Sequence, residues 1–220
     1  MTDPGVGHYP TTNMISLTWT LIGFLLGSLP ISVWLGKLVL RTDIRDYGDG
    51  NPGGTNVLRA GGRGLGLLAI ILDMLKGAIP VSLAHYVFKV DSWPLIPVVL
   101  APILGHAFSP LLGWRGGKAL ASTLGVWAAL TVPFGPFVMG GSVFVFNKLL
   151  NTSGWAVMAA LLALLGFLLA PALHWRSPGL TAGLTLPLFV AWAGTVAIIA
   201  WTHRADLRQR PQLRIRRTRR

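Results

Sequence analysis

Two glycine-rich basic segments hold most of the side chains in this 220-residue chain whose types and spacing could do chemistry. The first runs from Arg41 to Arg59 and contains Arg45, Gly48, Gly50, Asn51, Gly53, Gly54, Thr55 and Asn56. Its glycines permit positive φ and close backbone approach, so successive amides could turn inward around an anion. Arg45 and Arg59 offer forked donors that match a phosphate. A flexible polar loop is the competing reading, because Gly, Asn, Asp and Pro also favour plain turns. The second segment, Trp114 to Ser122, places Gly116, Gly117 and Lys118 just before an apolar helix. Free amides and the helix dipole favour an anion at such a helix start. The spacing does not match a P-loop, and a basic turn without a ligand is the alternative.

A third set of polar residues lies inside apolar stretches. Asp73 and Lys76 are three apart and share a helical face, either as a buried pair or as the lining of a polar cavity. His106 could orient a phosphate or serve as a base, though a lone His near an interface is more often simply hydrogen-bonded. Ser28 stands two residues before Pro30, whose missing donor could open the helix, though a Ser in a spanning helix usually bonds the carbonyl four residues back.

The elements that position these residues must lie in a membrane. The chain is 52% hydrophobic and 12% charged, with mean hydropathy +0.60, which excludes an ordinary soluble domain. It has no Cys and no Glu, so catalytic thiols, iron–sulfur clusters and Glu-based metal sites are excluded; no metal or cofactor is expected. Seven apolar stretches, at 15–38, 66–88, 94–112, 117–132, 135–149, 153–173 and 181–201, predict an all-α integral membrane bundle of about seven helices. The first reads as a retained span, not a signal peptide. Fifteen of the nineteen Lys and Arg fall in alternate connections, 39–65, 113–118, Lys148 and the tail, which predicts an outside N-terminus and a cytoplasmic C-terminus. The expected organisation is one transmembrane domain, 1–202, with motif loops at 39–65 and 113–118, and a basic tail, 203–220. The eight Arg of that tail suit anionic lipid headgroups better than nucleic acid, since no aromatics are interleaved.

Taken together, Gly27-Ser-Leu-Pro30, Asp43-Ile-Arg45, Gly50-Asn-Pro-Gly-Gly-Thr-Asn-Val-Leu-Arg59, Asp73-Met-Leu-Lys-Gly77, Gly105-His-Ala-Phe108, Arg115-Gly-Gly-Lys118 and His203-Arg204 resemble the acyl-phosphate-dependent glycerol-3-phosphate acyltransferases of bacteria. The blocks keep the family order and span residues 27 to about 208. The resemblance implies a multi-pass inner-membrane enzyme that moves a fatty acyl group from acyl phosphate to the 1-hydroxyl of glycerol 3-phosphate. The candidate catalytic residues are then Ser28, His106, Lys118 and His203. Arg45, Gly50, Asn51, Gly53, Thr55, Asn56, Lys76, Gly116, Gly117 and Asp206 are the candidate substrate-binding residues. The expected partners are acyl phosphate, glycerol 3-phosphate and membrane lipids, with no nucleic acid; oligomeric state is not read.

The chain departs from the family pattern at several places. Asp49 stands where the family has Ser, Ser32 where Gly is usual, Gly54 where Ala is usual, Ala119 where Gly follows the Lys, and Asp206 where Asn is usual. A downstream Gly-x-Glu is replaced by Pro211-Gln-Leu213. The Asp49 carboxylate is electrostatically out of place beside a phosphate unless it turns away or pairs with a cation. With no Cys and no evident triad around Ser28, direct attack by the acceptor hydroxyl is expected over an acyl-enzyme. Two other readings are a paralogue with a different polyol-phosphate acceptor and a transporter of a phosphorylated solute.

Overall fold

The structure, a computed structural model, describes residues 9–131, 134–170 and 184–213. These residues are helical without strands, apart from one isolated antiparallel bridge between Leu150 and Leu213. The helices are α1 (Tyr9–Ser28), α2 (Ile31–Leu35), α3 (Gly54–Ser82), α4 (Ser92–Ala107), α5 (Leu120–Thr131), α6 (Phe134–Leu149), α7 (Ser153–Leu169), α8 (Leu186–Thr202) and α9 (Arg204–Leu207). Each of the seven apolar stretches expected from sequence finds a helix. Three helical segments, Thr11–Leu40, Gly54–Val87 and Ser92–Leu112, are long and apolar enough to cross a membrane; Leu120–Thr131, Ser153–Leu169 and Leu186–Thr202 are shorter apolar helices.

Three boundaries depart from expectation. The first stretch is broken at Leu29-Pro30, where the proline restricts its predecessor and cannot donate. Its second part then widens over Gly36–Leu40 and ends at Arg41 in the left-handed region, φ 54°. The second helix starts at Gly54 and not near residue 66. Residue Gly62 has φ 80°, so the chain reverses there, bringing Gly54 against Ile70 and Leu58 against Gly66. A straight helix would hold Gly54 and Ile70 about 24 Å apart. Burial of Val57 with Val33, Ile44 and Ala69 supports a helical turn that the local glycine content argues against. The third departure is the tail. Asn151 N–H donates to Gln212 O at 2.9 Å, Gln212 N–H to Asn151 Oδ1 at 3.0 Å and Trp155 Nε1 to Gln209 O at 2.8 Å. Residues 203–213 are therefore docked on the α6–α7 turn as part of the bundle. The distal arginines from Arg214 lie outside the described residues.

Glycines set how closely the helices cross. A Cβ on Gly27 would strike the Pro102 main chain, and one on Gly105 would strike the Phe24 carbonyl, so α1 and α4 touch backbone to backbone. The same holds between α3 and α5, where Gly77 meets the Ser122 carbonyl and Gly125 that of Met74. In lipid, where apolar burial between helices gains little, such small-residue contacts carry association. Val98, Ile103, Trp127, Leu161, Leu164 and Ile199 fill the main core.

Between these crossings lies the Asp73–Lys76 pair, only 1% and 5% exposed and 2.7 Å apart. Lys76 Nζ also donates to Leu29 O at the α1–α2 break, 2.8 Å. Ser32 Oγ donates to Asp73 Oδ2 at 2.7 Å, and Ser122 Oγ to the Asp73 carbonyl at 3.2 Å. Of the two readings of this pair, the buried one holds. Removing one partner of such a pair costs about 3–5 kcal/mol, whereas removing both costs far less. Lys76→Met should therefore lower the thermal unfolding midpoint in detergent sharply, and Asp73→Asn combined with Lys76→Met should recover most of it. A single variant as stable as the wild type would contradict this account.

Candidate functional site

The turn between α4 and α5 is held at Lys118 from four directions. Its amide donates to Asn51 Oδ1 at 2.9 Å, and its carbonyl accepts from Thr202 Oγ1 at 3.2 Å. Its ammonium lies 3.0 Å from Asp49 Oδ2 and 3.1 Å from Asp206 Oδ2. Three segments far apart in sequence, the 43–59 loop, the 113–118 turn and the α8–α9 junction, thus meet at one lysine. The next residue, Ala119, has φ 58°, a left-handed conformation that glycine adopts without strain. This gives a backbone reason for the glycine that the family places after the lysine.

The 43–59 loop closes upon itself. Asn51 O accepts from Gly53 N–H at 2.8 Å and from Asn56 Nδ2 at 2.9 Å. Gly50 N–H donates to Tyr47 O at 3.2 Å and Asn51 N–H to Asp49 Oδ1 at 3.3 Å. Asn56, fully buried, accepts from Arg59 Nη1 at 2.8 Å. The Arg59 side chain crosses Gly48, φ 61°, at a point where a Cβ would collide with the guanidinium. Arg45 forms a forked pair with Asp43, Nε to Oδ1 at 2.9 Å and Nη2 to Oδ2 at 2.6 Å. The hydrogen bond from Arg45 holds the Asp43 carboxyl down at about 2.

These constraints correct the expectation that loop amides surround an anion. The amides of Gly50, Asn51 and Gly53 are committed to the loop, and those of Gly116 and Gly117 donate to Ala107 O at 3.2 Å and His106 O at 2.9 Å. Gly117 instead serves by lacking a side chain, since a Cβ there would meet His106 Nε2. The cationic groups at this end are side chains. A cleft of about 490 Å³ opens at this end of the bundle, and its walls carry Arg45, Arg115, Lys118 and Arg204 against Asp49 alone. Gly50, Asn51, Gly116 and Gly117 contribute backbone, while Phe108, Trp114 and Trp201 supply apolar wall. The Arg204 guanidinium stacks 4.9 Å from the Trp201 ring centroid. Trp114 and Trp201 are largely exposed, as suits aromatic side chains at a membrane–water boundary.

Of the residues singled out from sequence, the cleft thus gathers Arg45, Gly50, Asn51, Gly116, Gly117 and Lys118, with Asp206 directly behind Lys118. Others are not brought there. Ser28 Oγ donates to Phe24 O four residues back, 2.7 Å, so its hydroxyl serves its own helix. Lys76 is consumed by Asp73 and Leu29 in the core, a correction of its expected role in substrate binding. Gly53 and Asn56 build the loop, and Thr55 is exposed at the start of α3 without lining the cleft. His106 is buried with Nδ1 3.3 Å from Ser122 Oγ and 3.9 Å from Asp73 Oδ1, which leaves Nε2 against Gly117. His203 is buried, and its Nδ1 donates to Ile199 O at 3.0 Å, leaving Nε2 as the basic nitrogen. Sequence reading missed Ser122, which is fully buried beside His106, and Arg115, Trp114 and Trp201 as cleft wall.

The two acidic departures from the family pattern, Asp49 and Asp206, converge on the same ammonium. Partial burial pulls the Lys118 pKa down, but its hydrogen bonds to the two carboxylates outweigh this, and it stands above the ordinary lysine value. Burial pushes both carboxyls up; Lys118 and, for Asp206, the Ser153 hydroxyl outweigh it and hold them below the usual range. All three groups are charged near neutrality, Lys118 as the ammonium and the two aspartates as carboxylates.

A family model described as glycerol-3-phosphate acyltransferase matches residues 17–211. A glycerol-3-phosphate acyltransferase of Anaeromyxobacter sp. (strain Fw109-5) is 34% identical over 202 residues, covering 89% of this chain and 93% of the relative. Glycerol-3-phosphate acyltransferase 1 of Deinococcus radiodurans is likewise 34% identical, covering 89% and 92%. Among solved structures, PlsY, an integral membrane glycerol 3-phosphate acyltransferase in its glycerol 3-phosphate form, superposes with TM-score 0.74 at 31% identity, covering 88% of this chain and 90% of that one. With the family model matching residues 17–211 and relatives and fold agreeing over nearly the whole length, the chain belongs to the glycerol-3-phosphate acyltransferase family.

Proposed function

We propose that this chain transfers a fatty acyl group from acyl phosphate to the 1-hydroxyl of sn-glycerol 3-phosphate, releasing lysophosphatidic acid and inorganic phosphate for phospholipid synthesis. The observation that carries this reading is the cleft with four cationic side chains beside tryptophan walls at one end of an apolar bundle. Both substrates bear phosphate and one bears a long apolar chain, so charge and apolar surface are wanted side by side. The seven-helix layout, with this end facing the cytoplasm of a bacterial inner membrane, is supported by the Lys and Arg bias. The single-domain organisation now takes in the docked residues 203–213, and the distal arginines are assigned to anionic headgroups.

In this mechanism Lys118 and Arg115 hold one phosphate and Arg45 and Arg204 the other. Holding both substrates in reacting geometry lowers the barrier through orientation. The acceptor hydroxyl attacks the acyl carbonyl, the bond from that carbonyl to the phosphate oxygen breaks, and the hydroxyl proton ends on the released phosphate. The fixed cations stabilise charge growing on the carbonyl oxygen and on the leaving phosphate. Direct attack fits the surroundings of both candidate serines, because Ser28 is bonded to its own helix and Ser122 is fully buried. Asn51 acts through Lys118 as a positioning residue, and His106, packed under Gly117, keeps the turn at its height.

Purified protein in detergent, given palmitoyl phosphate and glycerol 3-phosphate, should form lysophosphatidic acid, and palmitoyl-CoA should not replace the donor. Lys118→Ala should reduce kcat/KM by roughly 100-fold or more, the scale of losing one preorganised charge stabiliser. Equal use of palmitoyl-CoA would refute the donor assignment. Asn51→Ala should lower kcat/KM by about tenfold through loss of one supporting hydrogen bond, and Asn51→Gln, which keeps a neutral acceptor oxygen, should retain more activity. Equal loss in the two Asn51 variants would exclude the positioning role.

A further inference from the structure

The two carboxylates on Lys118 are held differently. Asp206 is off the cleft wall. Its Oδ2 accepts from Ser153 Oγ at 2.8 Å, and its Cβ abuts Gly154 at the start of α7. It is the lysine's fixed counter-ion. Asp49 is on the cleft wall, with its side chain 45% exposed. Its Oδ1 accepts two long hydrogen bonds, from Asn51 N–H and Asn56 Nδ2, both 3.3 Å. The same Oδ1 lies 3.7 Å from Arg59 Nη1. A second cation thus stands within reach of the carboxylate on the side away from Lys118.

Resting on the reading above that Lys118 takes a substrate phosphate, we propose that Asp49 is an internal competitor for the Lys118 subsite that weakens any phosphate bound there and so favours release of the phosphate product. A phosphate entering the cleft meets an ammonium whose cleft side is already occupied by an anion, and like charges cannot share that position cheaply. To bind, the ligand displaces the Asp49 carboxylate toward Arg59, while Asp206 keeps Lys118 in place. The penalty is common to every phosphate placed on Lys118. Inorganic phosphate, with that one anchor, then binds weakly, while a ligand with an acyl chain on the tryptophan wall, or a glycerol moiety to bond, has further contacts that offset the cost. The device therefore favours release of free phosphate, the leaving product.

The test titrates inorganic phosphate against thermal unfolding of the purified full-length protein in detergent, at constant ionic strength. Asp49→Ser and Asp49→Asn should each lower the half-saturating phosphate concentration by roughly two- to fivefold, the range that half-exposed ion pairs support. Asp206→Asn should leave it unchanged or raise it. Half-saturation that is unchanged or raised in both Asp49 variants overturns the proposal, as does an equal decrease in Asp206→Asn, which would make the effect one of net charge and not position. Turnover of palmitoyl phosphate with glycerol 3-phosphate by the wild type is measured in parallel. An active wild type whose Asp49 variants bind phosphate no more tightly sinks the competitor and leaves the enzymatic reading standing. An inactive wild type whose Asp49 variants bind phosphate more tightly does the reverse.

Discussion

Backbone touches backbone where Gly27 and Gly105 bring α1 against α4, and where Gly77 and Gly125 bring α3 against α5. Everything at the cleft end depends on these two crossings. They set the depth of His106 in the bundle, and His106 and Ala107 supply the carbonyls that hold the Gly116 and Gly117 amides. A side chain at either crossing would force the helices apart and tilt the turn that carries Lys118. In a bilayer, where lipid tails are as apolar as leucine, close backbone packing and buried polar contacts take over the role that the hydrophobic effect plays in water. The Asp73–Lys76 pair, with Ser32 and Ser122, is the polar half of that arrangement. It ties α2, α3 and α5 to the carbonyl exposed at the proline break.

On this frame the cleft is built from side chains and not from amides. Loop glycines suggest a cradle of N–H groups, but in the folded chain those groups are spent on holding the loop and the turn in shape. The cost of leaving a buried donor unpaired explains why: amides that close the structure cannot also wait for a ligand. Among the cationic side chains at the cleft wall, Lys118 is paired with two carboxylates, and the forked pair of Arg45 with Asp43 fixes its guanidinium plane before any ligand arrives.

The acidic residues give this chain its own character within the family. Asp49 turns out to pair with a cation, the condition under which a carboxylate in a cationic cleft proposed to take phosphate is tolerable. Asp206 does the same from behind, and a single ammonium thereby serves two carboxylates from segments more than 150 residues apart. Lys118 is thus the junction of the site as well as its cation. The docking of residues 203–213 on the α6–α7 turn follows from this, since the tail that carries Asp206 must be held for Asp206 to hold Lys118.

Composition and hydropathy determined the helical membrane class, because a chain with so few charges has nowhere else to place its apolar residues. Motif order determined the family, and the spread of Lys and Arg pointed to the segments that meet at one end of the bundle. The helix between Gly54 and Gly62 was not legible, since three glycines argue against it and only contacts with Val33, Ile44 and Ala69 support it. Nor could local sequence sort the polar residues. Ser28, Lys76, Asn51 and Lys118 all sit in motif blocks, yet the first two bond within the core and the last two face the cleft. That sorting depends on the partner each side chain meets across the bundle: Asn51 and Lys118 are 67 positions apart, and Lys118 and Asp206 are 88 apart. A hydrogen bond or ion pair formed over such a separation exists only after the helices have crossed, so the tertiary structure alone decided which motif residues form the site and which support it.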